Sequence, residues 1–308
     1  MKGRDLLSIS DLSPEELEYL INLALSMKRD GTPTVLAGKT IAMLFEKPSL
    51  RTRVSFEVGM KQLGGTAIYL TQAEVGLGQR ESVEDVAHVL DRYVSGLVVR
   101  TYSQQGLVDL AEAASVPVIN ALSDDEHPCQ ALADLLTVRE KKGRLDGVRI
   151  AFIGDGNNVS ASLALAAARC GAQFVIAAPE GYQLSDQVVA DARTWARKTG
   201  GAIETVVAPE DACRDADVVY TDVWTSMGQE ASRRAREEAF QGYSVDSDLM
   251  RMAKADAIFM HDLPAHRGEE VQEEVIDGAQ SVIFDQAENR LHAQKALMAA
   301  LMADEASL

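Results

Sequence analysis

Short apolar runs alternate with amphipathic segments along most of the chain. Strands are predicted at runs such as "KTIAMLF", "GLVVRTY", "VRIAFIG" and "DVVYTDV", each bounded by polar or glycine-containing turns. Between them, apolar residues recur at helical spacing. The segment "SPEELEYLINLALSMKRDG" shows this clearly, with a serine cap, a proline at the first helical position and a closing glycine. Such alternation is typical of a parallel sheet flanked by helices.

The strand–helix pattern occurs twice, which predicts an α/β fold of two doubly wound domains. Each is expected to have a mainly parallel sheet flanked by helices. A chain of 308 residues also favours two domains. The polar stretch "REKKGRLDG" suggests domains at 1–143 and 144–308. The last strand is predicted at "SVIFDQ", and a final helix at about 288–305 is expected to return to the first domain.

Charge, hydropathy and cysteine content indicate which kinds of partner and which cell compartment suit the chain. The net charge is −17, which disfavours nucleic acid as a partner. No window is apolar for the roughly 18 residues of a membrane span, and the first residues lack the apolar core of a signal peptide. Cys129, Cys170 and Cys213 are odd in number and far apart, so no disulfide framework is expected. A cytoplasmic location is therefore predicted.

In a doubly wound sheet, ligands bind beyond the carboxyl ends of the strands. The segment "EKPSLRTR" follows the first strand and places Lys47, Arg51 and Arg53 on one turn of an acidic chain. Free backbone N–H groups at the following helix start, together with arginine, suit a bound anion. The alternative is a basic first helical turn with a serine cap.

Two further strand ends carry polar side chains. In "HPCQ", His127 could donate to a carbonyl oxygen and Gln130 could contact an NH2 group, although a turn and a helix cap would have the same pattern. The segment "GDGNN" resembles an incomplete dinucleotide loop, since Val159 stands where a glycine is needed. Its two asparagines suggest a polar ligand such as a carboxylate.

Later strand ends add acidic and imidazole groups. Asp222 in "DVWTSMG" could hold an ammonium group, or could simply begin a turn. His261 and His266 in "HDLPAHRG" have poor spacing for shared metal ligation, so no metal is predicted. Cys129 lies beside His127, but the intervening proline disfavours a thiolate–imidazole pair.

These motifs occur together and in order: "FEKPSLRTRVSFE", "HPCQALADLLT", "GDGNN", "DVWTSMG", "HDLPAHRGEEV" and "FDQAENRLHAQKA". Together they resemble the aspartate/ornithine carbamoyltransferase family over nearly the whole chain. The segments "SMG" and "LPAHRGEEV" resemble its ornithine branch. The resemblance implies transfer of the carbamoyl group of carbamoyl phosphate to the side-chain amine of L-ornithine. The products would be L-citrulline and phosphate, in arginine biosynthesis, without metal or organic cofactor.

The resemblance also assigns site residues. The carbamoyl phosphate contacts fall on Ser49, Leu50, Arg51, Thr52, Arg100, His127, Gln130, Leu263 and Arg290. The ornithine contacts fall on Asn158, Asp222, Ser226 and Met227. The catalytic residues fall on Arg51, Arg100, His127 and Asp262. The family forms trimers in which a neighbour contributes a loop, here "VGLGQRES", so Arg80 is expected to complete the site of another subunit.

The residue types suit this reaction. Arg51, Arg100 and a helix N-terminus would stabilise the charge that builds on the leaving phosphate. His127 and Arg100 would polarise the carbonyl oxygen. The amine must attack unprotonated, although a free amine of this kind has a pKa of about 10. Holding both substrates in line would supply much of the remaining rate.

Three positions depart from the family pattern. Leu50 replaces a common threonine, and Gly76 stands where the contributed loop often has glutamine. Asp262 replaces the cysteine of the usual His-Cys-Leu-Pro. Because of this carboxylate, two other functions remain open for the chain. It could be a carbamoyltransferase for another amine, such as putrescine or a substituted ornithine, or a weakly active or non-catalytic paralogue. A nucleotide-dependent dehydrogenase is disfavoured by the incomplete glycine loop.

Overall fold

The computed structural model describes residues 1–75 and 81–304. Two compact units are present. The first contains Met1–Leu136 and the end of the chain from Glu288, and the second contains Thr137–Ala287. Each unit is built on its own parallel sheet, so the predicted fold class is confirmed.

The first unit has a four-stranded sheet in the order β2-β1-β3-β4, with every neighbouring pair parallel. Its strands are β1 (Thr40–Phe45), β2 (Thr66–Thr71), β3 (Gly96–Arg100) and β4 (Val118–Leu122). Its helices are α1 (Pro14–Asp30), α2 (Leu50–Gln62), α3 (Gln72–Val75), α4 (Val83–Leu90) and α5 (Gln104–Ala113), after a short 3-10 helix at Ile9–Asp11. Alternate residues of β1 and β3, including Leu44 and Leu97, pack with Leu107 and Leu110 of α5 in a buried core.

The second unit has a five-stranded sheet in the order β7-β6-β5-β8-β9, again with every neighbouring pair parallel. Helix α6 (Pro128–Lys142) leads into it. Its strands are β5 (Arg149–Ile153), β6 (Gln173–Ala177), β7 (Ala202–Val206), β8 (Val218–Thr221) and β9 (Ile258–Met260). Its helices are α7 (Asn158–Arg169), α8 (Asp186–Thr199), α9 (Pro209–Cys213), α10 (Arg233–Ala239), α11 (Ser247–Met250) and α12 (Glu273–Ile276), with a 3-10 turn at Glu230–Ser232. The last helix, α13 (Ile283–Met302), begins in this unit.

Each sheet has a point where the chain changes direction of winding. In the first sheet it lies between β1 and β3, where Phe45 is opposite Arg100. In the second it lies between β5 and β8, where Ile153 is opposite Thr221. Ligands bind at such switch points because the loops after the two strands diverge to opposite faces. The segments "EKPSLRTR" and "RTYS" follow the first pair, and "GDGNN" and "DVWTSMG" follow the second.

The strand predicted at "SVIFDQ" is wrong. Helix α13 begins at Ile283, and Ser281 makes an isolated parallel bridge to Phe259. A run of three apolar residues fits the start of a buried helix as well as a strand, so its pattern could not separate the two. No helix within the described ranges is both long and apolar enough to cross a membrane.

Candidate active site

The loop after β1 ends in a capped helix. Ser49 is the N-cap of α2, and its Oγ accepts from the backbone N–H of Thr52 at 3.3 Å. The same Oγ donates to Thr52 Oγ1 at 3.0 Å. The serine cap considered as an alternative is therefore present. It leaves the N–H groups of Leu50 and Arg51 at the positive end of the helix, where an anion can accept from them.

The three basic residues of this loop differ in their surroundings. Lys47 is buried and lies 2.5 Å from Asp124 Oδ1, and Arg53 donates to Glu57 Oε1 at 2.9 Å. Arg51 is half-buried, and its guanidinium makes no hydrogen bond or ion pair with any residue in the described ranges. Of the three, Arg51 is the side chain left to meet a ligand.

Arg290 joins residues of three helices. It is buried, and its guanidinium donates to Gln130 Oε1 at 2.6 Å and to Thr52 Oγ1 at 3.1 Å. Gln130 in turn donates to Asp134 Oδ1 at 2.8 Å. The predicted residues Ser49, Thr52, Gln130 and Arg290 thus form one hydrogen-bonded set, drawn from α2, α6 and α13.

His127 and Arg100 are both buried at neighbouring strand ends. Burial, with the nearby cations Arg290 and Arg100, holds the pKa of His127 well below its usual range. A neutral imidazole among fixed positive charges can donate to a carbonyl oxygen without adding a further charge. Cys129 takes no part as a thiolate, because burial raises its pKa to about 12 and its thiol lies 3.3 Å from the carbonyl oxygen of Asn120.

In the second unit, Asn157 links the two strand ends at the switch point. Its side-chain oxygen caps α7 by accepting from the N–H groups of Val159 at 3.0 Å and Ser160 at 3.1 Å. Its amide nitrogen donates to Asp222 Oδ2 at 2.7 Å. The other oxygen of Asp222 accepts from the N–H of Val223 at 2.6 Å. The carboxylate is therefore fixed in position by two donors, neither of them a cation.

Asn157 was expected near a polar ligand as one of the two asparagines of "GDGNN", but it was given no specific role in the site. The sequence does carry a signal for it, because an asparagine directly before the apolar periodicity of "NVSASLALAA" is a strong N-cap pattern. Asn158, which was predicted, is the first residue of α7 and is half-buried.

Asp222 and Asp262 approach each other beyond the ends of β8 and β9. One ligand atom from each of Asp222, His261 and Asp262 lies within 4.8 Å of the others. His261 Nδ1 accepts from the N–H of Leu263 at 2.9 Å, which leaves Nε2 to donate to Glu270 Oε1 at 3.2 Å. Both ring nitrogens of His261 are thus occupied, so the grouping suits an ammonium between carboxylates better than a metal ion.

The loops after β8 and β9 hold three more predicted residues. The backbone N–H of Ser226 donates to Gln229 Oε1 at 3.1 Å, and the Met227 side chain is exposed. Leu263 has a φ of 60°, which is uncommon for a residue with a branched side chain. These residues lie in the same two loops as Asp222 and Asp262.

The last predicted contacts belong to the first unit. Leu50 is exposed at the first position of α2, so its side chain is open to solvent or to a ligand. Arg80 and Gly76 lie outside the described residues.

Family models match both halves of the chain. The carbamoyl-P binding domain of the aspartate/ornithine carbamoyltransferases matches residues 4–140, and their Asp/Orn binding domain matches residues 146–301. The chain therefore belongs to the aspartate/ornithine carbamoyltransferase family, and it is a transferase. The resemblance drawn from the six motifs is confirmed.

Individual relatives are similar along their full length. An ornithine carbamoyltransferase of Anoxybacillus flavithermus is 52% identical over 306 residues, which are 98% of each chain. One from Thermococcus kodakarensis is also 52% identical, over 98% of this chain and 97% of its own. The solved ornithine carbamoyltransferase of Pyrococcus furiosus is 50% identical, with a TM-score of 0.94 over 98% of this chain and 97% of its own.

Proposed function

We propose that the chain transfers the carbamoyl group of carbamoyl phosphate to the side-chain amine of L-ornithine, giving L-citrulline and phosphate. The observation that carries this proposal is the pair Asp222 and Asp262, whose carboxylates lie together at adjacent strand ends. Such a pair suits the ammonium of an amino acid. Relatives about 50% identical, one of them named as anabolic, carry the name ornithine carbamoyltransferase, which supports citrulline formation in arginine biosynthesis.

Carbamoyl phosphate is assigned to the first unit. The N–H groups at the start of α2 and the Arg51 guanidinium bind the phosphate. The set containing Thr52, Gln130 and Arg290 fixes the geometry of this surface, because each side chain already has a hydrogen-bond partner.

The reaction needs no electron carrier. The lone pair of the unprotonated amine attacks the carbonyl carbon, a C–N bond forms, and the C–O bond to phosphate breaks. The nitrogen then loses a proton, which the departing phosphate can accept. Arg100 and neutral His127 stabilise the negative charge on the carbonyl oxygen, and Arg51 stabilises the charge on the leaving phosphate. Fixed donors of this kind contribute about 100-fold to 1000-fold each.

The amino acid is assigned to the second unit. Asp222, oriented by Asn157, accepts from the α-ammonium, and Asp262 shares this role. Asn158 donates to the α-carboxylate. The remaining ornithine contacts come from the loop after β8, through Ser226 and Met227.

The two substrates define the proposed domains. Residues 1–143 form the carbamoyl phosphate domain and 144–308 the ornithine domain, with the last helix packing on the first. The support is the division of the chain into two compact units and the two family models that match its halves.

The assembly is proposed to be a cytoplasmic homotrimer. Arg80 of one subunit contributes to the phosphate site of its neighbour. The support is the family to which the chain belongs, together with the basic residue in a glycine-containing stretch of an acidic chain.

A second candidate substrate is putrescine. Asp262 adds a carboxylate where the ornithine branch has a neutral thiol, and putrescine replaces the α-amino acid end with a plain ammonium. A substrate without a carboxylate would be attracted more strongly to two acidic groups. Ornithine fits this half of the site in one further respect, because its α-carboxylate can accept from the Asn158 amide and putrescine has no such group.

The test is product identification with 13C-labelled carbamoyl phosphate. The purified chain is incubated with ornithine, putrescine or lysine, and ureido products are identified by mass spectrometry. A reaction without protein controls for spontaneous carbamoylation. Labelled citrulline above that control is expected. Labelled carbamoylputrescine without citrulline, or no ureido product at all, would contradict the proposal.

A further inference from the structure

A buried ion pair lies beside the ornithine half of the site and belongs to none of the roles above. Arg236 Nη1 lies 2.7 Å from Asp155 Oδ2. Their side chains are 12% and 8% exposed, so the pair is largely shielded from water. Asp155 is the second residue after β5, and Arg236 lies on α10, 81 residues further along the chain.

Arg236 also contacts two other segments. The same nitrogen donates to the carbonyl oxygen of Trp224 at 2.9 Å. Its guanidinium carbon lies 5.0 Å from the centre of the Tyr182 ring. One side chain therefore joins the loop after β5, the loop after β8 and the segment after β6.

The segment between β8 and α10, residues 222–232, is the one that Arg236 spans. It begins with Asp222 and contains Ser226 and Met227. Arg236 holds its near end through Trp224 and its far end through its own place on α10. Backbone hydrogen bonds such as Gln229 N–H to the Ser226 carbonyl oxygen, at 3.0 Å, order the later part of this segment, and Arg236 fixes its earlier part at Trp224.

The partners of Arg236 are themselves held in place by packing. The Trp224 ring stacks on Phe240 at 5.8 Å, and Tyr182 packs edge-on against Phe240 at 5.0 Å. The N–H of Gly156 donates to the Tyr182 carbonyl oxygen at 2.7 Å. A Cβ on Gly156 would lie 2.3 Å from a backbone atom of the residue after Tyr182, so glycine is needed for this close approach. The guanidinium is thus attached to a closely packed set of side chains.

The buried charge of Asp155 is stabilised by the Arg236 guanidinium. Burial raises the pKa of Asp155, and the Arg236 guanidinium opposes that rise. Removing one partner of a buried pair leaves the other charge without compensation, which is strongly unfavourable. The segment would then leave its position so that water could reach the remaining charge.

We propose that Arg236 is a positioning residue for the amine substrate. Through Asp155 and the Trp224 carbonyl it holds segment 222–232 in one conformation. That conformation presents Asp222 and the two ornithine contacts that follow it. Arg236 touches neither substrate itself. The proposal rests on the proposed function for the identity of the amine, but not for the existence of this positioning role.

The test compares Arg236→Met, Arg236→Lys, Asp155→Asn and the double variant Asp155→Asn/Arg236→Met. The matched control is Arg234→Met on the same helix, because Arg234 is 92% exposed and pairs with Glu238 at 3.3 Å. KM values for ornithine and for carbamoyl phosphate are measured separately, with circular dichroism and Tm to confirm folding.

We expect Arg236→Met to raise the ornithine KM about tenfold or more, while the carbamoyl phosphate KM changes less than about twofold. Arg236→Lys should recover part of the loss because it keeps the charge without the planar fork. Since the two residues act as a unit, the double variant should be no worse than Arg236→Met alone. Arg234→Met should match the parent.

Unchanged ornithine KM in folded Arg236→Met would overturn the proposal, and so would equal losses for both substrates. If Arg236→Met does not fold, Asp155→Asn and Arg236→Lys supply the same comparison, and the same two outcomes overturn the proposal. If the parent uses another amine, the proposed function fails, and the KM for that amine still decides whether Arg236 positions the segment.

Discussion

A carboxylate oxygen of Asp222 and one of Asp262 lie within 4.8 Å of each other, at the ends of the adjacent strands β8 and β9. Two negative charges at this separation repel each other by about 1 to 3 kcal/mol in a partly screened protein environment. A bound ammonium removes that repulsion and gains attraction from both groups. The pair therefore favours a cationic amine over a neutral one.

The first prediction concerns Asp262. Replacing it in Asp262→Cys removes one charge, and we expect ornithine turnover to increase and its pH dependence to weaken, with some activity already in the parent. Steady-state kinetics with ornithine and putrescine across pH will measure this. Asp222→Asn is the comparison variant and should lose about 100-fold or more in kcat/KM, because Asp222 is the carboxylate that Asn157 holds in place. Unchanged or lower ornithine turnover in Asp262→Cys would contradict this prediction.

The second prediction separates two arginines of one loop. Arg51→Ala should lose about 100-fold to 1000-fold in kcat/KM, since it removes a donor to the leaving phosphate. Arg53→Ala should stay within a few-fold of the parent, because Arg53 already pairs with Glu57. Both variants should keep the parent's Tm within a few degrees. Near-normal turnover in Arg51→Ala would show that the phosphate is held elsewhere.

The third prediction concerns the proposed trimer. Arg80→Ala and Arg51→Ala subunits, each inactive alone, are mixed under conditions that exchange subunits. Some sites of a hybrid then combine an intact Arg51 with an intact Arg80, so activity should return. Mass spectrometry of the intact assemblies verifies the hybrids. Verified hybrids without recovered activity would exclude a shared site.

The fourth prediction follows from His127. Its pKa is lowered in the folded protein by burial and by Arg290 and Arg100, so below pH 6.5 the unfolded chain binds a proton that the folded chain does not. The contribution of neutral His127 to the free energy of unfolding is therefore fully present above about pH 6.5. It is lost as the pH falls below that value. The Tm of the parent should therefore drop more between pH about 7 and about 5.5 than that of His127→Gln. Parallel curves would refute the assignment of a neutral, buried His127.

Local patterns in the sequence were sufficient to predict the alternation of strands and helices along the chain. They also predicted the capped helix after β1 and the loops that carry polar residues. Parallel strands put those loops at one edge of each sheet, which is why strand-end residues such as Asp222 could be selected. The strand predicted at "SVIFDQ" failed because three apolar residues do not distinguish a strand from a helix start.

Contacts between distant residues could not be predicted in this way. Arg290 reaches Thr52 across 238 positions, and Arg236 reaches Asp155 across 81. Nothing in the immediate surroundings of either arginine indicates its partner, since both pairings depend on how helices pack on the sheets. The bond from Asn157 to Asp222 was not predicted for another reason, because capping α7 and donating to Asp222 are separate uses of one amide.

A competition experiment between ornithine and putrescine tests most directly which substrate's ammonium group is bound by Asp222 and Asp262. Equal concentrations of ornithine and putrescine are incubated with limiting carbamoyl phosphate and the parent protein. The ratio of citrulline to carbamoylputrescine then gives the ratio of kcat/KM values. If Asp222 and Asp262 hold the ammonium of an amino acid whose carboxylate meets Asn158, citrulline should exceed carbamoylputrescine by about 100-fold or more. A product mixture dominated by carbamoylputrescine would contradict this assignment and would show that the second carboxylate serves a different amine.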